Sequence, residues 1–202
     1  MSYKADHGRV MRNTALLYFR MALMMCINLY TSRVVLQVLG VEDYGIFYVV
    51  WGIAYILNFI NSSMTTSTQR FLNFELGTGN KQRLHEIFIT SIHIHFIISL
   101  LLILLSETGG IWFLTEKMVI PDERRTAAMW CFQLSIVTAV AEVMSCPYQS
   151  VIIAREKMSA FAYISILDAF LKLAIVGMLL LTGYDRLIIY AILYTCEKLL
   201  IR

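Results

Sequence analysis

Six apolar segments run along the chain, and each approaches the length that crosses a bilayer as a helix. We place them at residues 14–38, 44–68, 87–105, 127–146, 158–181 and 187–202. Glycine-containing turns at 40–43, 77–81 and 182–185 and a longer polar stretch near 107–125 separate them, and we expect Pro147 to break the fourth segment. The pattern predicts an all-α, polytopic membrane protein with six transmembrane helices.

The composition agrees with this prediction. Of the 202 residues, 58% are hydrophobic and only 15% are charged, whereas soluble domains are about half apolar and about a quarter charged. Six spans of about 20 residues use nearly the whole chain, so we expect no soluble catalytic domain. Residues 1–13 lack the apolar core and cleavage site of a signal peptide, so we expect the first helix to be retained.

Positive charges are distributed unevenly between the two predicted sides of the membrane. If the N-terminus is cytoplasmic, that side collects ten Lys and Arg residues, and the other side collects only Lys117, Arg124, Arg125 and Arg186. Cytoplasmic loops carry an excess of Lys and Arg. We therefore predict cytoplasmic N- and C-termini, and we attribute the net charge of +3 to membrane orientation rather than to nucleic-acid binding.

Two arginines lie within the first predicted helix, Arg20 in its inner half and Arg33 in its outer half. Their separation along an ideal helix is roughly 20 Å, and they point about 140° apart around it. One interpretation is that they bind an anionic substrate at different depths or in different conformations. The other is one arginine that reaches the interface and one structural ion pair.

The inner half of the second predicted helix carries no charge but many polar side chains. Asn58, Ser62, Thr65 and Gln69 recur at helical spacing and form one stripe, with Asn61 beside it. Because such a stripe is unfavourable against lipid, it faces either a hydrophilic cavity or another helix to which it hydrogen-bonds.

Three further charged residues fall within predicted spans. Asp168 and Lys172 are four residues apart and can pair on one helix face. We expect a structural ion pair, with a proton-coupling carboxylate as the alternative. Glu142 has no basic residue near it in sequence, and burial of an unpaired carboxylate disfavours its charged form. Glu142 is therefore the first candidate for a titrating site.

The remaining sequence features point to no catalytic, metal or cofactor site. His93 and His95 are two residues apart, which on a helix places them on different faces, so they cannot bind one metal ion. No nucleotide-binding or hydrolase motif is present. The four cysteines lie in apolar stretches, and we expect buried free thiols. Residues 109–114 are too short to span, and their Trp and Phe suit an interfacial helix, with a re-entrant loop as the alternative.

Several motifs together resemble the polysaccharide (O-antigen type) flippases of the multidrug/oligosaccharidyl-lipid/polysaccharide exporter superfamily. They are TSRVVLQVLGVEDYGI at 31–46, NSSMTTSTQRFLNFELG at 61–77, SETGGIWFL at 106–114, PY at 147–148 and REKMSAFAYI at 155–164. The resemblance implies a MATE-like fold of two six-helix bundles. It also implies that undecaprenyl-diphosphate-linked sugar units are moved across the bacterial inner membrane by alternating access, for polysaccharide and lipopolysaccharide (O-antigen) biosynthesis.

By this resemblance, we expect the 202 residues to correspond to the first of these two bundles only. We therefore expect the isolated chain to be inactive, or to associate with a second copy or with a separately encoded C-terminal half. In this interpretation, Arg20, Arg33 and the polar stripe supply cationic and hydroxyl-rich walls for a diphosphate-sugar head group. The alternatives are a non-transporting membrane subunit or inactive fragment and, less favoured because no catalytic set is present, a membrane-embedded glycolipid enzyme.

Overall fold

The computed structural model describes the backbone of residues 3–56, 58–155, 157–181 and 183–202, and side chains at 18, 20–52, 63–155, 157, 163–181 and 183–202. This part of the chain is helical and contains no strand, which confirms the predicted all-α class. The α-helices are α1 (Tyr3–Ile56), α2 (Asn58–Thr78), α3 (Lys81–Leu105), α4 (Ile111–Glu116), α5 (Arg125–Ala154), α6 (Met158–Leu181) and α7 (Arg186–Ile201).

Four segments of the described chain are long and apolar enough to cross a membrane: Arg20–Gly52, Lys81–Glu116, Asp122–Ala154 and Tyr163–Leu181. They expose many large apolar side chains, as lipid-facing helices do. The predicted spans at 44–68 and 187–202 are not among the four. The second of them corresponds to α7, which has only 16 residues. The chain therefore has the character of a membrane protein, and six crossings stay a prediction.

Helix α1 bends sharply at Gly40, inside the turn predicted at 40–43. Gly40 has φ 82° and ψ 167°, a conformation that is strained for a residue with a Cβ atom. The bend folds α1 back on itself, since Ser32 Oγ and the Tyr44 hydroxyl lie only 2.8 Å apart. In a straight helix, these residues would be roughly 18 Å apart along the axis. The kink therefore divides α1 into two helical arms that pack together, residues 3–39 and 41–56.

Charged side chains from the segment before α5 and from the start of α7 contact this kink. Arg124 forms ion pairs with Asp43 at 3.0 Å and with Asp185 at 2.9 Å. Arg186 Nη1 donates a hydrogen bond to the carbonyl of Val38 at 3.0 Å. These contacts join the kink, the loop before α5 and the loop before α7 at one end of the helices.

The third predicted helix does not end at residue 105. The chain continues through a π-helical turn, Ser106–Gly110, into α4, and Ser106, Gly110 and Ile111 all keep right-handed helical dihedrals. Residues 109–114 are thus the continuation of α3, and the prediction of a separate interfacial helix or re-entrant loop is wrong. Gly110 allows this continuation to pack closely on α5, because its bare Cα lies against the Phe132 ring.

Pro147 does not break the fourth predicted helix, which is a second correction. Helix α5 continues through Pro147 to Ala154, and the proline side chain is fully buried. A proline removes one backbone hydrogen bond, but helices in membranes tolerate this where neighbouring helices enclose the site. Helix α5 has such neighbours, because it packs against α1, α2, α3 and α7 and forms the centre of the structure.

The cysteines are free in the structure, and only two of the four are buried. Cys131 and Cys146 lie inside α5, as expected for thiols in apolar segments. Cys26 and Cys196 are exposed, which corrects the expectation of four buried thiols. Both exposed cysteines lie on helices that also expose large apolar side chains. Apolar neighbours in the sequence therefore do not show that a cysteine is buried in the core.

Candidate functional site

A cavity of about 430 Å³ lies between the two arms of α1 and helices α6 and α7. Its size is within the range of ligand pockets, roughly 300–1,000 Å³. The wall combines polar groups with aromatic rings, and the lining includes Asn28, Thr31, Ser32, Phe47, Tyr48, Trp51, Lys172, Tyr190 and Tyr194. The Gly40 kink creates this cavity, since it brings both arms of α1 to the same wall.

The one charged side chain among the described lining residues is Lys172, which is anchored from two sides. Its Nζ forms an ion pair at 2.7 Å with Asp168, which lies one turn earlier in α6. The same Nζ donates a hydrogen bond to Asn28 Oδ1 of α1 at 3.2 Å. The predicted pairing of Asp168 with Lys172 is present in the structure. The contact with Asn28 joins α6 to α1 across the cavity.

The ion pair is part of a larger group that includes two residues of α7. Lys198 Nζ lies 3.5 Å from Asp168 and 3.2 Å from Glu197, whose side chain is almost completely buried. The four residues Asp168, Lys172, Glu197 and Lys198 are called the charge cluster below. Two carboxylates and two ammonium groups balance, so the cluster has no formal net charge.

The aromatic wall is a connected group of rings from α1 and α7. Phe47 stacks on Trp51 with ring centroids 4.5 Å apart and contacts Tyr190 at 4.6 Å. Trp51 meets Tyr194 edge-on at 5.2 Å. Lys198 Nζ lies 5.0 Å from the centre of the Tyr194 ring, within the range of a cation–π contact. The aromatic wall therefore contacts the charge cluster directly.

The two predicted arginines of α1 do not line this cavity. Arg33 is exposed and Arg20 is half-buried, and neither forms an ion pair with any residue that the structure describes. Arg33 directly follows Ser32, which does line the cavity, so Arg33 projects from the adjacent face of the same helix. The prediction that both arginines contact an anionic substrate stays a prediction.

The predicted polar stripe of α2 is described only in part. The side chains of Asn58, Asn61 and Ser62 lie outside the described residues. Thr65 is half-buried, and its carbonyl accepts a hydrogen bond from Ser150 Oγ of α5 at 3.1 Å. At this position, the stripe faces another helix, one of the two arrangements that the sequence left open.

Glu142 has a partner that its sequence neighbourhood does not reveal. Its carboxylate forms an ion pair with Arg202, at the far end of α7. The condition for a titrating site, an unpaired buried carboxylate, is therefore not met. The reason is the packing of α7 on α5, which brings together two residues that are 60 positions apart.

The two histidines lie apart, as their spacing predicts. His95 is buried, and its Nδ1 hydrogen-bonds to the Ser91 carbonyl at 2.7 Å within α3, whereas His93 is exposed. No group of three His, Cys, Asp or Glu side chains in the described part of the chain is arranged to hold a metal ion.

The α7 half of the charge cluster was not predicted, although the sequence contains a signal for it. Glu197 and Lys198 interrupt an apolar helix, and charges at membrane depth require partners. Asp168 and Lys172 are opposite charges in the preceding apolar segment, so they were candidate partners for Glu197 and Lys198. The aromatic wall gave no such signal, because Tyr190 and Tyr194 look like ordinary positions of an apolar helix.

The chain matches no known protein-family model, no curated protein and no solved structure. The site and the membrane character of the helices are therefore the observations that bear on its function.

Proposed function

We propose that this protein translocates polyprenyl-diphosphate-linked oligosaccharide units across the bacterial inner membrane for surface polysaccharide biosynthesis, as one bundle of a MATE-like flippase. The observation that carries the proposal is the cavity between α1, α6 and α7, in which Lys172, hydroxyl groups and aromatic rings share one wall. The family resemblance of the sequence motifs supports the same class of transport.

The chemistry of this wall suits a diphosphate-sugar head group. The Lys172 ammonium is a compact charge that forms charge-assisted hydrogen bonds to phosphate oxygens. The faces of Trp51 and the tyrosines offer apolar area with polar edges, which matches the mixed surface of a sugar ring. Thr31 and Ser32 add hydroxyl groups that exchange hydrogen bonds with a sugar.

The charge cluster supplies a way to release Lys172 to a substrate. When a diphosphate binds Lys172, Asp168 retains its second partner, Lys198, so neither carboxylate of the cluster is left without a cation. Such an exchange limits the electrostatic cost of substrate binding at low dielectric. In this proposal, Arg20 and Arg33, which lie on α1 outside the cavity, provide further contacts for the substrate at other depths.

The orientation belongs to the same proposal. Both termini face the cytoplasm, six segments cross the bilayer, and one bundle moves against another around the substrate. The function is transport without chemical conversion, and it uses no cofactor or metal ion.

The second candidate function is that of a non-transporting membrane subunit. The balance of the charge cluster favours this alternative, because a mutually neutralised set of buried charges can serve helix packing alone. The two functions differ in whether the cavity binds a diphosphate.

Trp51 offers a direct measurement of that difference. Trp51 is 3% exposed in the cavity wall, whereas Trp112 and Trp130 are more than half exposed elsewhere. A chain with Trp112→Phe and Trp130→Phe therefore reports on the cavity by fluorescence. In nanodiscs, undecaprenyl diphosphate should give a saturable change, and undecaprenol, which lacks the diphosphate, should not.

The Lys172→Gln variant should weaken the response to undecaprenyl diphosphate by about tenfold or more, as expected for a lost charge-assisted hydrogen bond. Lys117→Gln is the matched control, because Lys117 lies outside the cavity, over the Trp112 position, and it should bind like the parent. A response to undecaprenol equal to that to undecaprenyl diphosphate would contradict the proposed substrate. The absence of any saturable response would support the non-transporting subunit.

A further inference from the structure

A second cavity, of about 470 Å³, lies where α2 ends, α3 begins and α5 ends. Its floor and sides are apolar, formed chiefly by Leu72, Leu76, Leu84, Phe88 and Val151. Leu72 is buried, Leu76 is exposed, and Leu84, Phe88 and Val151 are half-buried, so the cavity opens to the outside of the bundle. It is separate from the site between α1, α6 and α7, with which it shares no lining residue.

Three basic side chains form the polar part of this cavity. Lys81 and His85 are four residues apart on the first turns of α3 and lie on one face. Arg155 comes from the C-terminal end of α5. None of the three forms an ion pair with a residue that the structure describes, and none of the described lining residues is acidic.

These basic residues lie at the ends of candidate membrane helices. Lys81 begins the candidate span Lys81–Glu116, and Arg155 directly follows the candidate span Asp122–Ala154. Since α3 and α5 pack against each other, both residues lie at the same end of two neighbouring membrane helices. The ends of membrane helices lie near the lipid phosphates, and acyl chains lie alongside the apolar surfaces of such helices.

We propose that this cavity is a binding site for an anionic glycerophospholipid of the surrounding bilayer. Lys81, His85 and Arg155 bind the phosphate head group, and the leucines and Phe88 hold the upper part of an acyl chain. Basic pockets between transmembrane helices on the cytoplasmic side recognise anionic head groups in this way. The proposal requires only the membrane character of the chain and does not depend on the proposed transport function.

The test is a lipid titration of the purified chain in detergent, followed by native mass spectrometry. We expect phosphatidylglycerol to bind more tightly than phosphatidylcholine. The double variant Lys81→Gln/Arg155→Gln should weaken phosphatidylglycerol binding about thirtyfold, from the energy of two basic side chains beside a lipid surface. Phosphatidylcholine binding should be unchanged.

The matched control is Lys117→Gln/Arg125→Gln, which removes the same charge at the opposite end of the same helices. It should leave the phosphatidylglycerol preference within about twofold of the parent, because charge-dependent attraction falls off within about a Debye length. An equal loss in both double variants would overturn the proposal, because it would show general electrostatic attraction.

Two further measurements test the acyl-chain contact and distinguish a lipid from a soluble phosphate. Leu76→Trp fills the exposed side of the cavity and retains all three basic residues, so it should also remove the preference for phosphatidylglycerol. If Leu76→Trp binds phosphatidylglycerol like the parent, no acyl chain occupies the cavity. Displacement of the lipid by an equal concentration of glycerol 3-phosphate would identify a soluble-phosphate site and overturn the lipid assignment.

Discussion

Asp168 should be more costly to neutralise than Lys172, because Asp168 pairs with two lysines and Lys172 with one carboxylate. Asp168→Asn leaves Lys172 with only Asn28, while Lys198 keeps Glu197. Lys172→Met is less costly, since Asp168 still pairs with Lys198. The double variant Asp168→Asn/Lys172→Met removes one charge of each sign and restores neutrality, so it should recover much of the stability.

The structure sets the expected size of this effect. Removing one partner of a fully buried pair costs about 3–5 kcal/mol. The Asp168 and Lys172 side chains are 17% and 20% exposed, so we expect a cost below that of a fully buried pair, about 2–3 kcal/mol. For a chain of about 200 residues, each kcal/mol shifts the unfolding midpoint by about 2–4 °C, which gives a fall of about 4–12 °C. The double variant should regain at least about 1 kcal/mol through the coupling of neighbouring sites.

Thermal unfolding in detergent, followed by size exclusion of a fluorescent fusion protein, measures these midpoints together with the yield of folded protein. Lys117→Met is the control for loss of a lysine outside the cluster, and it should change stability by no more than about 0.5 kcal/mol. If the double variant unfolds at or below the midpoint of Asp168→Asn, the residues are not energetically coupled. The reasoning is also wrong if Lys172→Met is the more damaging of the two single changes.

Two other predictions test the orientation and the helix that continues beyond residue 105. In a cysteine-free background, Glu123→Cys should react with an impermeant thiol reagent in intact cells and Lys81→Cys should not; the reverse pattern would contradict cytoplasmic termini. Gly110→Ala should cost about 1–3 kcal/mol in the same unfolding assay, because the added Cβ would lie 2.5 Å from the buried Phe132 ring. Gly109→Ala, with no atom within 4 Å of the added Cβ, is its control, and equal stability of the two variants would disprove the close packing.

Local features of the structure were readable from the sequence. The turn at Gly40 depends on one residue that adopts a positive φ at little cost, and Gly79 ends α2 in the same way. Asn80, which follows it, caps α3 by accepting a hydrogen bond from the Arg83 N–H. The Asp168–Lys172 pair follows from helical spacing alone. Each of these depends on residues within one or two turns of each other.

Features that depend on packing were predicted wrongly or not at all. The sequence around residues 106–110 and at Pro147 contains ordinary helix-ending signals, yet both helices continue. Gly110 is helical and packs against the Phe132 ring. Pro147 is also helical and is fully buried within α5. Neighbouring helices therefore override local preference where they enclose the backbone.

The sequence by itself determined that the chain is helical and suited to a membrane, because apolar content and period are properties of short windows. Only the tertiary structure decided which charges meet. Glu142 finds Arg202, and Asp168 gains Lys198 as a second partner, from 60 and 30 positions away in the chain. The cavity beside Lys172 likewise exists only because the Gly40 kink places both arms of α1 against α6 and α7. Such contacts follow from the relative placement of whole helices, which no local pattern of residues specifies.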